Sequence, residues 1–170
     1  MSHPHHYSLN LKWTGNKGDG TTNYRSYDRS HLISIEGKSG IAGSSDPVFR
    51  GDKTKYNPEE LLVAALSACH MLSYLHLCSE AGVNVIDYVD NATGTMEETP
   101  NGGGKFTEVV LYPTVTVSDE SMVTKANQLH HSANELCFIA NSCNFPVRHQ
   151  PSCIALKAVS LQAYNERAKM

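Results

Sequence analysis

The sequence predicts an α+β fold with an antiparallel sheet, and three observations support this. A strongly apolar segment at residues 61–81 has clear helix start and stop signals, and a second helical pattern covers residues 121–140. Segments with alternating apolar and polar residues lie before, between and after the two helices. The resulting order, β-β-α-β-β-α-β, is typical of α+β proteins. The 170 residues suffice for a single domain with a substantial core, so residues 1–170 are taken as one domain.

Composition excludes several classes of protein. The net charge is −3, and 40% hydrophobic with 18% charged residues is ordinary for a soluble globular protein. No basic cluster indicates nucleic-acid binding. Polar residues interrupt the best membrane-span candidate, residues 61–77, and the N-terminus lacks a signal-peptide pattern. We therefore expect a cytoplasmic protein without a nucleic-acid or membrane partner, and we expect residues 1–6 to be disordered.

The first part of the chain predicts two strand regions and a long loop. Residues 7–13 alternate, and their apolar members would share one face of a half-buried strand: Tyr7, Leu9, Leu11 and Trp13. Residues 24–27 and 31–36 predict a second strand region. Residues 38–56 show no periodicity and predict a loop, which at this length usually has a function.

The first helix has the strongest local signal. Asn57 is a good N-cap, Pro58 suits the first helical position, and Glu60 can bond back to the cap. Gly82 is the expected end of the helix. Apolar residues occur all round the helix, which predicts burial on most sides. In a domain of this size, such burial requires a sheet wrapped around the helix or a second subunit packed on it.

The remaining elements follow from alternation and turn residues. Residues 83–96 and 106–117 predict strands joined by a hairpin loop at residues 101–104. After the helix at residues 121–140, residues 153–164 predict a closing strand.

The five cysteines do not suggest a disulfide framework, because the number is odd and no secretion signal is seen. Free thiols are the default in a reducing compartment, with catalysis or metal binding as the less common alternative. The histidines and cysteines that a metal site would combine have no recognised zinc spacing, so we predict no metal site: His70, His76, Cys78, His130 and Cys137.

Two blocks resemble a known family. The block Asn-Pro-Glu-Glu-Leu-Leu-Val-Ala-Ala-Leu-Ser-Ala-Cys at residues 57–69 resembles the central helix of the OsmC/Ohr family, the osmotically inducible protein C and organic hydroperoxide resistance proteins. A second block, His-x-x-Ala-x-x-x-Cys-x-Ile-x-Asn at residues 130–141, resembles that family's second cysteine helix. The resemblance covers roughly residues 7–164.

The resemblance implies an OsmC-like fold, with antiparallel sheets wrapped around a long buried central helix in an intertwined homodimer. It implies a peroxidase of the oxidative stress response that reduces organic hydroperoxides at two dimer-interface sites. Cys69 would be the peroxidatic cysteine, Cys137 would be the resolving cysteine, and Glu59 with an arginine would assist. No bound cofactor is implied, because reducing equivalents would come from an external thiol, a small dithiol or the dihydrolipoyl group of a lipoylated protein.

The chemistry requires a cation beside Cys69. Only a thiolate attacks peroxide, and an unperturbed thiol has a pKa of about 8.5. Cys69 lies about three turns into its helix, too far for the helix dipole to help. An always-charged arginine is the natural alternative. Arg50 is one candidate, Arg25 and Arg29 are the others, and each could instead be a solvated surface residue.

The position of Glu59 makes a geometric prediction. Ten residues separate it from Cys69, which corresponds to about 15 Å along a helix. We therefore expect Glu59 to serve the Cys69 of the other subunit, or to reach its own only through a long arginine. The alternative is an acid in the first turn that interacts favourably with the helix dipole.

We expect different roles for the other three cysteines. Cys143 competes with Cys137 for the resolving role, whereas Cys78 and Cys153 are expected in the core.

The sequence also predicts roles for the histidines and apolar residues near the thiols. Neighbours in a helix point about 100° apart, so His70 is not expected to be the base for Cys69, but to shape the pocket or face the dimer interface. Solvated or capping roles are expected for His130 and His131. An apolar substrate pocket is expected from five residues of the two helices: Leu66, His70, Met71, Leu72 and Phe138.

A second function is kept as an alternative. The fold could serve a non-catalytic dimer that binds a small molecule or lipid, with its cysteines in the core. That alternative predicts that the sulfurs of Cys69 and Cys137 lie too far apart to join. A hydrolase with a Cys-His pair is disfavoured because the sequence offers no oxyanion loop.

Overall fold

The computed structural model describes residues 3–156, and the chain divides into two compact units, Met1–Leu62 and Val63–Met170. The α+β class predicted from the sequence is confirmed. The part of the predicted closing strand beyond residue 156 lies outside the described residues.

The first unit contains a three-stranded antiparallel sheet. Strands β1 (Asn10–Trp13), β2 (His31–Ser34) and β3 (Ile41–Gly43) lie in the order β1-β2-β3. Strand β3 and a 3₁₀ turn at Pro47–Phe49 occupy the segment predicted to be a loop, and residues 24–27 form no strand.

The apolar face expected for β1 is exposed in the chain. Tyr7 is 91% exposed and Trp13 is 41% exposed, with Leu9 and Leu11 between these values. The alternating pattern therefore predicted the strand correctly but not the half-burial, since nothing within residues 3–156 covers that face.

Helix α1 (Pro58–Glu80) begins at the predicted N-cap. The Asn57 side-chain oxygen accepts a hydrogen bond from the backbone N–H of Glu60 (2.7 Å). The Glu60 carboxylate accepts one from the backbone N–H of Asn57 (3.0 Å). This reciprocal pair satisfies two N–H groups that the start of the helix leaves free, as the sequence predicted.

The end of α1 is also the predicted one. Gly82 adopts a left-handed conformation with φ of 70°, which glycine allows without steric cost. Its N–H bonds the carbonyl of Ser79, and the N–H of Val83 bonds the carbonyl of Cys78. This pair of bonds is the Schellman motif that ends many helices.

Helix α1 buries one stripe only. Its fully buried residues repeat every four positions: Leu66, His70, Tyr74 and Cys78. Other apolar residues stay open, and Leu72 is 63% exposed. Burial on most sides is therefore not achieved by the part of the chain that the structure describes. By length and composition α1 could cross a membrane, a criterion that core helices of soluble proteins also meet.

The second unit contains two further three-stranded sheets, ordered β4-β7-β9 and β5-β6-β8. Their strands are β4 (Val85–Asp90), β5 (Thr93–Glu98), β6 (Gly104–Leu111), β7 (Pro113–Val117), β8 (Val147–His149) and β9 (Ser152–Ala155). The hairpin between β5 and β6 was predicted, whereas β8 was missed. The pairs β4-β7 and β5-β6 are antiparallel as expected, whereas β8 joins β6 and β9 joins β7 in parallel, so these two sheets are mixed.

Each of the two long strands predicted around the hairpin is broken in two. Asp90 ends β4, and its carboxylate accepts a hydrogen bond from the backbone N–H of Tyr112, the residue between β6 and β7. The same carboxylate accepts a second bond from the Ser67 hydroxyl of α1 (2.5 Å). One side chain therefore supplies the partner for a backbone donor that the sheet leaves unpaired.

Helix α2 (Val123–Leu136) packs against the sheet of β4, β7 and β9 through a buried stripe: Ala126, Leu129, His130 and Ala133. It ends earlier than predicted, so Cys137 is the residue that caps its C-terminus. Gly94 of β5 lies so close to α1 that an added Cβ would fall 2.8 Å from side-chain atoms of Val63 and Phe106. This close approach requires glycine.

Candidate active site

The structure brings the thiols of Cys69 and Cys137 together. Helix α1 positions Cys69, which is partly exposed, and the end of α2 positions Cys137, which is 1% exposed. The two side chains are neighbours, since Cys69 contributes to the raised pKa of the Cys137 thiol.

The environment keeps the Cys137 thiol protonated. Burial raises its pKa to about 11, and the neighbouring Cys69 thiol acts in the same direction. The N–H groups of Ala140 and Ile139 partly oppose this, and the Ala140 nitrogen lies 3.4 Å from the Cys137 sulfur. At neutral pH the site therefore holds a neutral, sheltered S–H beside a thiol that solvent reaches.

The other three cysteines lie elsewhere. Cys78 and Cys153 are buried in the core, as predicted, and burial raises the pKa of both thiols. Cys143 is partly exposed after the 3₁₀ turn at Ala140–Ser142, and its thiol bonds the carbonyl of Ile139 (3.3 Å).

Arg29 is held within its own loop in the first unit. Its guanidinium donates to the carbonyls of Tyr27 (2.7 Å) and Tyr24 (2.9 Å). It also lies over both tyrosine rings, 4.1 Å and 4.4 Å from their centres. Because these contacts occupy both terminal nitrogens, Arg29 serves as a support for the loop. Arg25 is exposed in the same loop.

Arg50 is presented differently. It follows the 3₁₀ turn at Pro47–Phe49 with a φ of 66°, an uncommon conformation for a residue with a side chain. Its side chain is exposed and makes no hydrogen bond or ion pair within residues 3–156. Arg50 and Arg29 both line a polar cleft of about 290 Å³, together with Asp28, Asp52 and Lys55.

Glu59 is half-buried in the first turn of α1. One of its carboxylate oxygens is shielded from solvent and has no hydrogen-bond partner in the described part of the chain. A buried carboxylate oxygen without a partner is costly, so this group is suited to receive a donor.

The five residues expected to form an apolar pocket differ widely in exposure. Leu66 and His70 are fully buried, and Met71 is half-buried. Leu72 is 63% exposed and Phe138 is 79% exposed. His70 in particular neither lines an open pocket nor faces outward, because α1 turns it into the interior with Leu66.

Sequence reasoning missed a buried histidine pair. His130, expected to be solvated or capping, is 0% exposed and lies 3.1 Å from His70 through their ring nitrogens. His131 is exposed as expected and pairs with Glu135 (3.3 Å). The signal for His130 was its place on the same stripe of α2 as Ala133, which distinguishes it from its neighbour. No group of three potential metal ligands occurs among the residues that the structure describes.

Comparisons with known proteins agree with this architecture. The family model described as OsmC-like protein matches residues 51–151. An OsmC-like protein of unknown function from Vibrio cholerae is 32% identical, with a TM-score of 0.78, over 87% of this chain and 99% of that one. A comparison with curated proteins gives no match.

Two more distant solved structures share the fold. An organic hydroperoxide resistance protein from Elizabethkingia anophelis, determined with thiocyanate bound, has a TM-score of 0.62 at 17% identity, over 89% of this chain and 99% of that one. An organic hydroperoxide resistance protein OsmC from Legionella pneumophila also has a TM-score of 0.62, at 20% identity, over 86% of this chain and 96% of that one.

Proposed function

The chain belongs to the OsmC-like protein family, and on that premise we propose that it is a thiol-dependent peroxidase that reduces organic hydroperoxides with Cys69 and Cys137. The observation that supports this most directly is the thiol pair itself. One thiol is open to solvent, the other is sheltered beside it, and the two interact. Two solved structures of the same fold are named for organic hydroperoxide resistance.

In the first step, Cys69 acts as the nucleophile. Its thiolate attacks one oxygen of R–O–O–H, the O–O bond breaks, and R–O⁻ leaves and takes up a proton to become the alcohol. The sulfur is oxidised to sulfenic acid while the peroxide is reduced. Partial exposure of Cys69 suits this step, because a substrate can reach it.

In the second step, Cys137 resolves the sulfenic acid. Its sulfur attacks the Cys69 sulfur, an S–S bond forms, and the lost hydroxyl leaves as water with the proton that Cys137 carried. A raised pKa keeps that proton on Cys137 until then and shelters Cys137 from direct oxidation. An external dithiol, such as a dihydrolipoyl group, returns both cysteines to thiols by exchange.

The proposal assigns Arg50 and Glu59 as the assisting residues. Arg50 is preferred over Arg29 because its guanidinium is exposed, whereas both terminal nitrogens of Arg29 are occupied. The unpartnered carboxylate oxygen of Glu59 would accept from a guanidinium and hold it in place. We further propose a homodimer, because the exposed apolar side of α1 needs a cover, and a cytoplasmic location, where thiol reductants are available.

The test is turnover of cumene hydroperoxide with dihydrolipoamide as the reductant. Replacement of Cys69 by Ser should reduce turnover to the level of the reaction without protein. Replacement of Cys137 by Ser should allow one equivalent of peroxide to react and then leave Cys69 as a sulfenic acid, which a second equivalent would oxidise to sulfinic acid, both visible by mass spectrometry.

Cys143→Ser is the matched control, since Cys143 is also partly exposed. It should turn over like the wild type. Turnover that survives the loss of Cys69, or that stops only with the loss of Cys143, would remove the assignment.

A further inference from the structure

A hydrogen bond between two buried histidines links the helices that carry the two thiols. The Nε2 atom of His70 on α1 lies 3.1 Å from the Nδ1 atom of His130 on α2. Both side chains are 0% exposed, and their rings are close to parallel, at 9°. The peroxidase chemistry described above uses neither residue.

The pair is closely tied in sequence to the thiols. His70 directly follows Cys69, and His130 precedes Cys137 by seven residues, which is about two turns on the same side of α2. Any shift of one helix against the other at this hydrogen bond therefore moves the two sulfurs relative to each other.

The surroundings of the pair are rigid. The Tyr74 ring stacks on His130 with its centre 3.9 Å away, and the His149 ring lies 5.6 Å from that of His70. The other nitrogen of His130 faces the Cys153 sulfur at 3.9 Å. Flat rings on both helices and on the sheet thus pack around the two imidazoles.

The two histidines are neutral at physiological pH. Burial lowers the pKa of His70 to about 4 and that of His130 to about 3, with His149 acting on both in the same direction and Asp90 opposing the shift at His70. Two neutral imidazoles share one hydrogen, one as donor and the other as acceptor. The bond is therefore present throughout the physiological range.

We propose that His70 and His130 are positioning residues that set the separation of the Cys69 and Cys137 sulfurs for disulfide closure. Apolar packing between helices is not directional and allows small slides, whereas a hydrogen bond in a dry site holds two atoms at one distance. His70 is not assigned as a base on Cys69, because its side chain points about 100° away from that of Cys69 along the helix. This inference rests on the proposed function.

The test compares two amides at position 130. In His130→Asn the amide group takes the place of Nδ1 and can still bond His70. In His130→Gln the amide group is one bond further out, toward Cys153, and the bond to His70 is lost. His131→Gln on the exposed neighbour is the matched control.

The first measurement is single-turnover oxidation with one equivalent of cumene hydroperoxide, with dimedone to trap the sulfenic acid. For His130→Gln we expect closure of the disulfide to slow about tenfold, the size expected for one lost hydrogen bond, with a matching rise in the trapped Cys69 adduct. Consumption of the peroxide in that first turnover should stay within about twofold of the wild type. His130→Asn and His131→Gln should close like the wild type.

The second measurement needs no peroxide. The Cys69–Cys137 disulfide is equilibrated with dithiothreitol. In His130→Gln we expect the equilibrium constant for disulfide closure to be about tenfold smaller, which raises the reduction potential by about 30 mV. If the wild-type protein does not turn over peroxide but His130→Gln still shows this shift in potential, the proposed function is refuted and the positioning role is retained. The positioning role would be overturned if His130→Gln closed the disulfide at the wild-type rate and potential. It would also be overturned if His130→Asn slowed closure as much as His130→Gln.

Discussion

Two pairs of cysteines in the second unit differ in what surrounds them. Cys69 and Cys137 are neighbours, and Cys69 is partly exposed. Cys78 and Cys153 both interact with the Tyr74 hydroxyl and are buried in the core. Cys69 and Cys78 are nine residues apart on α1, which places them on opposite sides of the helix. Proximity of thiols is thus common to both pairs, and access to solvent is what distinguishes the pair suited to chemistry.

The largest expected difference between the pairs is in alkylation. With iodoacetamide at pH 7.5, Cys69 should react at least about 100-fold faster than Cys78 or Cys153, because the buried thiols have raised pKa values and no access. Peptide mapping by mass spectrometry over a time course measures each rate. Comparable rates at Cys69 and Cys78 would end the distinction.

The buried histidines of the second unit should also make the free energy of unfolding depend on pH. His70 and His130 have folded-state pKa values below the ordinary value of 6.5, so the unfolded chain binds more protons between about pH 6.5 and 4. The free energy of unfolding should therefore fall as the pH drops through this range, by about 2 kcal/mol per histidine at pH 5. Urea unfolding at pH 7 and pH 5 measures it.

A substitution isolates the share of His130 in that decrease. In His130→Asn the titrating group is gone and the fall between pH 7 and 5 should be about half as large. His131→Asn, at an exposed position, should leave the fall unchanged. An equal fall in all three proteins would assign the dependence to other groups.

The smallest expected effect concerns packing. Cys78→Ala removes a buried sulfur beside Tyr74 and should lower the free energy of unfolding by about 1 kcal/mol. Cys143→Ala, at a partly exposed position, should change it by less than about 0.5 kcal/mol. Equal costs would indicate that the core tolerates a cavity at position 78.

Features set by neighbouring residues were predictable from the sequence. The start of α1 at Asn57 and its end at Gly82 depend on contacts within a few residues, and the structure reproduces both. The two thiol-bearing segments were likewise identified, because their residue patterns are local.

Features set by distant contacts were not predictable. The break after β4 depends on an Asp90 carboxylate that meets Tyr112 and Ser67, each more than twenty residues away. His130 and His131 look alike in sequence, and only the direction of the α2 stripe buries the first. The pairing of β8 with β6 and of β9 with β7 joins residues about forty positions apart, and short-range patterns carry no information on it.

The parallel strands β8 and β9 have a consequence for folding during synthesis. Only Gln150 and Pro151 separate them, yet they complete two different sheets. The sheet of β6 can gain its last strand only after residue 149 has left the ribosome, and the sheet of β7 only after residue 155 has done so. Until then β6 and β7 each have one edge without its final partner, so the nascent chain would depend on chaperone protection there.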